Sequence, residues 1–246
     1  MIDKMRTFAR SFVLTLIVLV LVVIAVCAGI RIAKILKSNQ SAADTYEDIQ
    51  SAFQVESTDD FPQIDWSALK RQYPNVIAWL YCPDTKLNCP VMQATDNAFY
   101  LTHLADGTAD RHGAIYMDYR NNAAFTEANT LIYGHNMTDG TMLNCLLNWG
   151  NADYFAAHPE LYLLTEKANY TVELYNVCVV DTESPVYDLT CDGNKAAWIA
   201  ACSRKSWVTA DFIPSTDTPV ITFSTCSNHS DRFILQGVLQ KQFTPK

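Results

Sequence analysis

The chain has 246 residues, 49% of them hydrophobic and 18% charged, which suits one sizeable folded core with an appendage and excludes wholesale disorder. Its 26 Asp plus Glu outnumber 18 Lys plus Arg, for a net charge of −8, and no cation cluster stands outside the N-terminus. A phosphate backbone would be repelled, so no nucleic acid partner is expected.

Residues 1–10 form a short basic segment, and residues 11–30 are an uncharged run rich in Val, Leu and Ile, long enough to cross a bilayer core. The run is longer than the apolar region of a cleaved signal peptide, about 7–15 residues, and lacks a clean small-x-small site, so it is expected to be retained as an anchor. Val26 precedes Cys27 where a lipidated cysteine would call for a small residue, and Cys27 reads as an apolar thiol in a membrane helix. Lys4, Arg6 and Arg10 before the run balance Arg31, Lys34 and Lys37 after it, so charge alone does not orient it. A short N-terminal segment ahead of a large C-terminal domain predicts a single-pass protein with its N-terminus inside. Residues 31–60, polar and acidic from 38 onward, predict a partly helical juxtamembrane stalk, and the folded domain is expected over 61–246.

Within that domain, residues 66–73 predict a helical turn before Pro74, and 76–81 a strand closed by Cys82-Pro83-Asp84. Further strands are predicted at 88–93, 114–119, 130–134, 161–165, 170–181, 220–225 and 232–240. Helices are predicted at 97–104, 142–149, 152–157 and 195–202, with Asp96 and Asp192 as N-terminal caps for two of them. Short strands at this density predict a mainly β sandwich or barrel with peripheral helices.

Eight cysteines are many for an exported domain, where disulfides are common. Cys82, Cys89, Cys145, Cys178, Cys191 and Cys202 form no CxxC pair and no cluster with His, so neither a metal site nor any cofactor is expected. Most lie in apolar runs, such as 176–180 around Cys178, and read as buried reduced thiols. A Cys82–Cys89 disulfide flanking a hairpin is the alternative.

Cys226 differs from these in ending the apolar strand 220–225 just before the polar stretch Ser227-Asn228-His229-Ser230. A strand end can hold a nucleophile rigidly and leave it accessible. Thiolate attack on an amide also needs a proton donor for the departing amine, a task suited to histidine. His158 precedes Pro159 and reads as a capping or surface residue, and His103 and His112 flank a polar, Gly-containing loop. His135 ends another apolar strand, follows Gly134, and shares a face with Leu131 and Tyr133. His229 is its rival, three residues after Cys226 in a short loop. Arg232 opens the next strand, where a hairpin would return it beside Cys226 to meet a developing oxyanion. Its plainer reading is a surface cation paired with Asp231.

The segments Tyr133-Gly134-His135-Asn136-Met137, Ser224-Thr225-Cys226 and Arg232-Phe233 resemble the three catalytic blocks of the sortase family, in the same order. Asp96-Asn97, Tyr100-Leu101, the block 113–121, Tyr154-Phe155 and His158-Pro159 are similar to class B members, so the resemblance covers roughly residues 61–240. One departure is the interval from Cys226 to Arg232, whose five intervening residues are fewer than is usual in class B; Arg204 and Arg120 are the alternative cations.

The resemblance implies a closed eight-stranded β-barrel with added helices and a cysteine transpeptidase activity. Cys226 would attack the threonine carbonyl of a sorting motif in an exported protein, His135 would protonate the leaving amine, and Arg232 would stabilise the oxyanion or orient the substrate. A peptidoglycan-precursor or pilin amine would then resolve the thioacyl enzyme outside the cell membrane. Asn97, Leu101, Tyr133 and Ser224 would line the sorting-motif groove. The same residues would also serve a cysteine peptidase resolved by water, and a non-catalytic peptide-binding module is the reading from a different class.

Overall fold

A computed structural model describes residues 2–55, 62–227 and 230–243. The expected domain start at Phe61 and the rival His229 lie outside the described residues. The chain divides into two compact units, residues 1–41 and 42–246. In the first unit, helix α1 (Ile2–Phe53) carries the apolar run, with side chains from Phe12 to Leu36 exposed; it is long and apolar enough to cross a membrane. Its C-terminal portion, from Ala42, belongs to the second unit and buries Ala42, Ile49 and Phe53.

The second unit continues with a minimal antiparallel pair, β1 (Gln54–Val55) and β2 (Gln63–Ile64), and then α2 (Trp66–Gln72). Asp65 caps α2 by accepting from the Ala68 amide at 2.9 Å. The strands that follow are β3 (Val76–Tyr81), β4 (Asn88–Met92), β5 (Tyr116–Met117), β6 (Asn129–Tyr133), β7 (Glu160–Leu164), β8 (Asn169–Val180), β9 (Val220–Cys226) and β10 (Arg232–Phe243). They close an eight-stranded barrel in the order β10-β8-β7-β3-β4-β5-β6-β9. All neighbours are antiparallel except β4–β5 and β6–β9, which run parallel. Closure leaves the barrel sheet itself without an open edge strand among the described residues.

Period-two alternation sends Leu80, Val91, Ile132, Val172, Val177, Ile221, Phe223 and Leu235 into the barrel core. Two further apolar layers cover its outside. Ile49, Phe53 and Leu69 pack with Trp79 and Tyr116, while α4 (Lys195–Ser203) lays Trp198, Ile199 and Cys202 over Cys178, Val220 and Ile234. Polar side chains of the neighbouring strands form a hydrogen-bonded chain, from which Asn176 Oδ1 is left out. Thr222 donates to Asn129 Oδ1 (2.7 Å), Gln236 Nε2 donates to Thr222 (2.8 Å), and Asn176 Nδ2 donates to Gln236 Oε1 (2.7 Å). Asn129 Nδ2 also donates to the carbonyls of Val186 and Asp188, fastening the connection between β8 and α4 to the barrel wall.

Three local expectations are corrected. Residues 97–104 form turns, because their backbone groups are used elsewhere: Ala114 N donates to Tyr100 O and Asp110 N to Thr102 O. Asp96 accepts from Ala98 and Phe99 amides without starting a helix. The predicted strand 114–119 shrinks to β5, since Ala114 N turns aside to Tyr100 O and, although Asp118 N still donates to Leu131 O, the chain then turns with Asn121 N donating back to Asp118 O. Asn194, not Asp192, caps α4 by accepting from Ala197 N. Helix α3 (Ala152–Ala157) forms as expected, and 142–149 becomes a 3-10 segment, Leu143–Gly150.

All eight cysteines are free thiols. Cys82 and Cys89 are not opposite each other: Cys89 pairs with Leu80, while Cys82 N donates to Leu87 O.

Candidate active site

Strand register assembles the site at one end of the barrel. In the antiparallel β9–β10 pair, Cys226 stands directly opposite Arg232, and the five-residue loop between them is closed by Ser227 N donating to Asp231 O at 3.0 Å. The short interval therefore serves to bring the two together. On the other side of β9, parallel β6 pairs Tyr133 with Ser224, and Gly134 N donates to Ser224 O at 3.3 Å. His135 follows Tyr133 by two residues, as Cys226 follows Ser224 on β9. Asn136 strengthens the join by donating from Nδ2 to Cys226 O at 2.7 Å, and its own Oδ1 accepts from Asn144 at 2.6 Å.

Cys226, His135 and Arg232 are all part-exposed, in contrast to the other thiols of the barrel domain, which are buried. Burial raises the pKa of Cys82, Cys145 and Cys191 to about 11 and that of Cys202 to about 12, and pushes Cys89 and Cys178 up as well. Those thiols have little thiolate to offer.

His135 donates from Nε2 to the Leu101 carbonyl at 2.8 Å, a contact that fixes the tautomer because a carbonyl only accepts. Among the described residues, no hydrogen bond joins His135 to Cys226. Arg232 donates to the backbone carbonyl of Asp231 at 3.2 Å and makes no salt bridge among the described residues. Arg120 is held on Asp118 by two side-chain hydrogen bonds of 2.8 Å, and Arg204 follows α4 at the surface.

An open cavity of about 340 Å³ is lined by Tyr133, Ser224, Cys226 and Arg232 together with Thr182 and Tyr187. Tyr187 and Ser224 share a hydrogen bond of 2.9 Å. Burial raises the Tyr187 pKa, opposed by that bond and by Arg232. Of the four groove residues expected, Tyr133 and Ser224 line this cavity. Asn97 and Leu101 do not: Asn97 donates to Asp118 Oδ2 at 2.9 Å and accepts from Tyr119 N at 3.0 Å, and Leu101 offers its carbonyl to His135 while its side chain is exposed.

Asp118 has no solvent exposure and accepts from Asn97, Tyr133 and Arg120. Burial opposes its ionisation, but these donors, led by Arg120, overcome that and hold its pKa at about 2. Gly134 is needed for packing, since a Cβ there would lie 2.6 Å from Leu143 Cγ. Among the described residues no group of acidic, His and Cys side chains forms a metal site.

Residues 80–240, well over half of the chain, match the sortase domain family. Sortase B of Listeria monocytogenes is 31% identical over 179 residues, covering 70% of this chain and 72% of that protein. The chain belongs to the sortase family. This sortase is a class B-like cysteine transpeptidase. Sortase B of Staphylococcus aureus is 24% identical over 219 residues, covering 87% of this chain and 90% of that one. A crystal structure of sortase B from Bacillus anthracis in complex with AAEK1 aligns with a TM-score of 0.73 at 26% identity, covering 84% of this chain and 100% of that chain. Structures of sortase B with a substrate, from S. aureus, and with triglycine share the fold, at a TM-score of 0.68 and 22% and 23% identity; each covers 72% of this chain, and 84% and 85% of its own.

His103 stacks on Phe99, and His158 caps α3 while stacking on Tyr154. Tyr187 and Thr182 had no sequence signal, because the connection that carries them has no periodicity and reaches Ser224 only through the fold.

Proposed function

We propose that this sortase cleaves a threonine-containing sorting motif of exported proteins and transfers the acyl group to an amine. Cys226 is the nucleophile, His135 the proton-transfer group and Arg232 the oxyanion or backbone-orienting cation. What supports this reading is the register at the barrel end, where Cys226 pairs with Arg232 on β10, and Ser224, two residues before Cys226, pairs with Tyr133, two residues before His135.

The steps follow from that geometry. Cys226 Sγ attacks the threonine carbonyl from the cavity floor, and the oxygen gains negative charge within reach of the Arg232 guanidinium, which lines the same cavity. With His135 Nε2–H engaged by Leu101, Nδ1 is the ring position that takes the Cys226 thiol proton and passes it to the leaving amine as the C–N bond breaks. A thioester remains on Cys226. The incoming amine attacks it, His135 accepts the proton released, and the new amide leaves. Tyr133 and Ser224 contact the motif from the cavity wall, with Asn97 and Leu101 at its margin.

The sortase B complex with triglycine supports a peptidyl amine as acceptor, of the kind found on peptidoglycan precursors or pilins. The apolar run 11–30 supports a single-pass anchor with the N-terminus inside and the catalytic domain outside, where exported proteins and wall precursors meet. Of the expected stalk 31–60, only residues 31–41 lie outside the second unit, which takes in the helix from Ala42 and serves as the catalytic domain of that arrangement.

A library of threonine-containing peptides tests the proposal, with product masses read with and without triglycine. Amine-dependent product that vanishes in Cys226→Ala supports transfer. Product that incorporates only water makes the protein a peptidase, and tight binding without turnover makes it a binding module.

A further inference from the structure

Two excursions from the barrel set the position of His135: the turn that follows it and the segment whose Leu101 carbonyl accepts from its ring. One buried side chain joins them. His112 has no solvent exposure, and its Nδ1 lies 2.5 Å from Asp110 Oδ1 while its Nε2 lies 2.8 Å from Asp139 Oδ2. The two carboxylate side chains are only 10% and 17% exposed. Carboxylates accept and do not donate, so both contacts are filled when each ring nitrogen carries a hydrogen, and the resulting bonds are charge-assisted.

Each end of this bridge is braced by its own turn. Asp110 Oδ1 also accepts from His112 N at 2.9 Å, and Asp139 Oδ1 accepts from Thr141 N and Oγ1 at 3.0 and 2.6 Å. On the Asp110 side, Gly113 takes a φ of +59° and passes so near the chain that an added Cβ would stand 2.5 Å from Tyr100 O and 2.8 Å from Leu101 O. On the Asp139 side, the same turn contains Asn136, which donates to Cys226 O, and returns through Leu143, whose amide donates to His135 O at 3.0 Å. The bridge thus ties the backbone beside the acceptor of the His135 ring to the backbone that carries the ring.

We propose that Asp110, His112 and Asp139 are positioning residues for the transfer reaction, holding the His135 turn against the Leu101 segment and so setting the angle of the imidazole toward Cys226. This rests on the reading of His135 as the proton-transfer group. None of the three lines the cavity that holds Cys226. A bridge that merely stapled two loops would alter stability alone, whereas a positioning bridge alters kcat in the folded enzyme and leaves KM in place.

The test uses the full chain in detergent and the best-cleaved member of a fluorogenic library of threonine-containing peptides, at a temperature where circular dichroism shows each variant folded. Asp139→Ala is expected to lower kcat about tenfold, with KM within about twofold, as a small misplacement of a catalytic group would. Asp139→Asn is expected to recover most of that loss, because its oxygen serves Thr141 while its amide donates to a singly protonated His112 ring. Unchanged kcat in Asp139→Ala, a change confined to KM, or equal losses in both variants would overturn the proposal. If Asp139→Ala does not fold, His112→Gln replaces it, with one donor and one acceptor end across the same gap. The same loss of kcat alone is then expected, and unchanged kcat overturns. His135→Ala separates the two claims: wild-type turnover there removes the proton-transfer reading itself, while an inactive His135→Ala beside a fully active Asp139→Ala removes only the bridge.

Discussion

Asp118→Asn gives the most quantitative perturbation, because the native carboxylate is fully buried and accepts from Arg120 N, Nε and Nη2, Asn97 Nδ2 and Tyr133 OH. Its pKa of about 2 lies below the ordinary 3.8, so the unfolded chain takes up the proton first as pH falls. The stabilisation is therefore complete above about pH 4 and is lost as pH drops toward 2. A depression of that size corresponds to about 2 kcal/mol at neutral pH. The Arg120 side chain is 48% exposed, and solvent screening reduces the figure to about 1–2 kcal/mol. An amide at this position would also turn one donor toward the existing donors, adding about 1 kcal/mol for a hydrogen bond left unmade. Urea unfolding of wild type and Asp118→Asn, followed by near-ultraviolet circular dichroism, should show a gap of about 2–3 kcal/mol at pH 7 that narrows between about pH 4 and pH 2. A gap that stays constant over that range, or no gap at pH 7, would refute the reasoning.

Gly113→Ala should destabilise the fold by more than about 1 kcal/mol, since the new Cβ meets two backbone carbonyls at a positive φ; it should also lower kcat by shifting Leu101 O, read by thermal unfolding and steady-state kinetics. Tyr187→Phe removes one hydrogen bond to Ser224, worth about 1 kcal/mol, and should raise KM several-fold with little change in kcat. Arg232→Lys keeps the charge but not the planar fork, and should lower kcat/KM by about tenfold or more in the same assay. Iodoacetamide on the native protein should label Cys226 ahead of the six buried thiols of the barrel domain, which react only on unfolding; peptide mass mapping reads the order.

The barrel was legible wherever local pattern and tertiary demand agreed. The run at β3 and the alternation in β9 and β10 needed only apolar, β-branched residues and turn signals at their ends. The strand ends at Cys226 and Arg232 were legible in the same way, while His135 lies two residues past the end of β6. Residues 97–104 were misread because Asp96 presents the local chemistry of a helix cap, whereas Tyr100 O and Thr102 O are taken by partners further along the chain. Tyr187 reaches Ser224 across 37 residues through an irregular connection, and no period announces it. His112 looked like a loop histidine because Asp139, 27 residues away, supplies half of its setting.

Intact-mass spectrometry of the protein during turnover of a threonine-containing sorting peptide tests the central claim most directly. The account predicts a transient adduct equal to the peptide's acyl fragment, mapped to Cys226, discharged faster by triglycine and lost in Cys226→Ala. Turnover that persists in Cys226→Ala, or an adduct on any other residue, would contradict it.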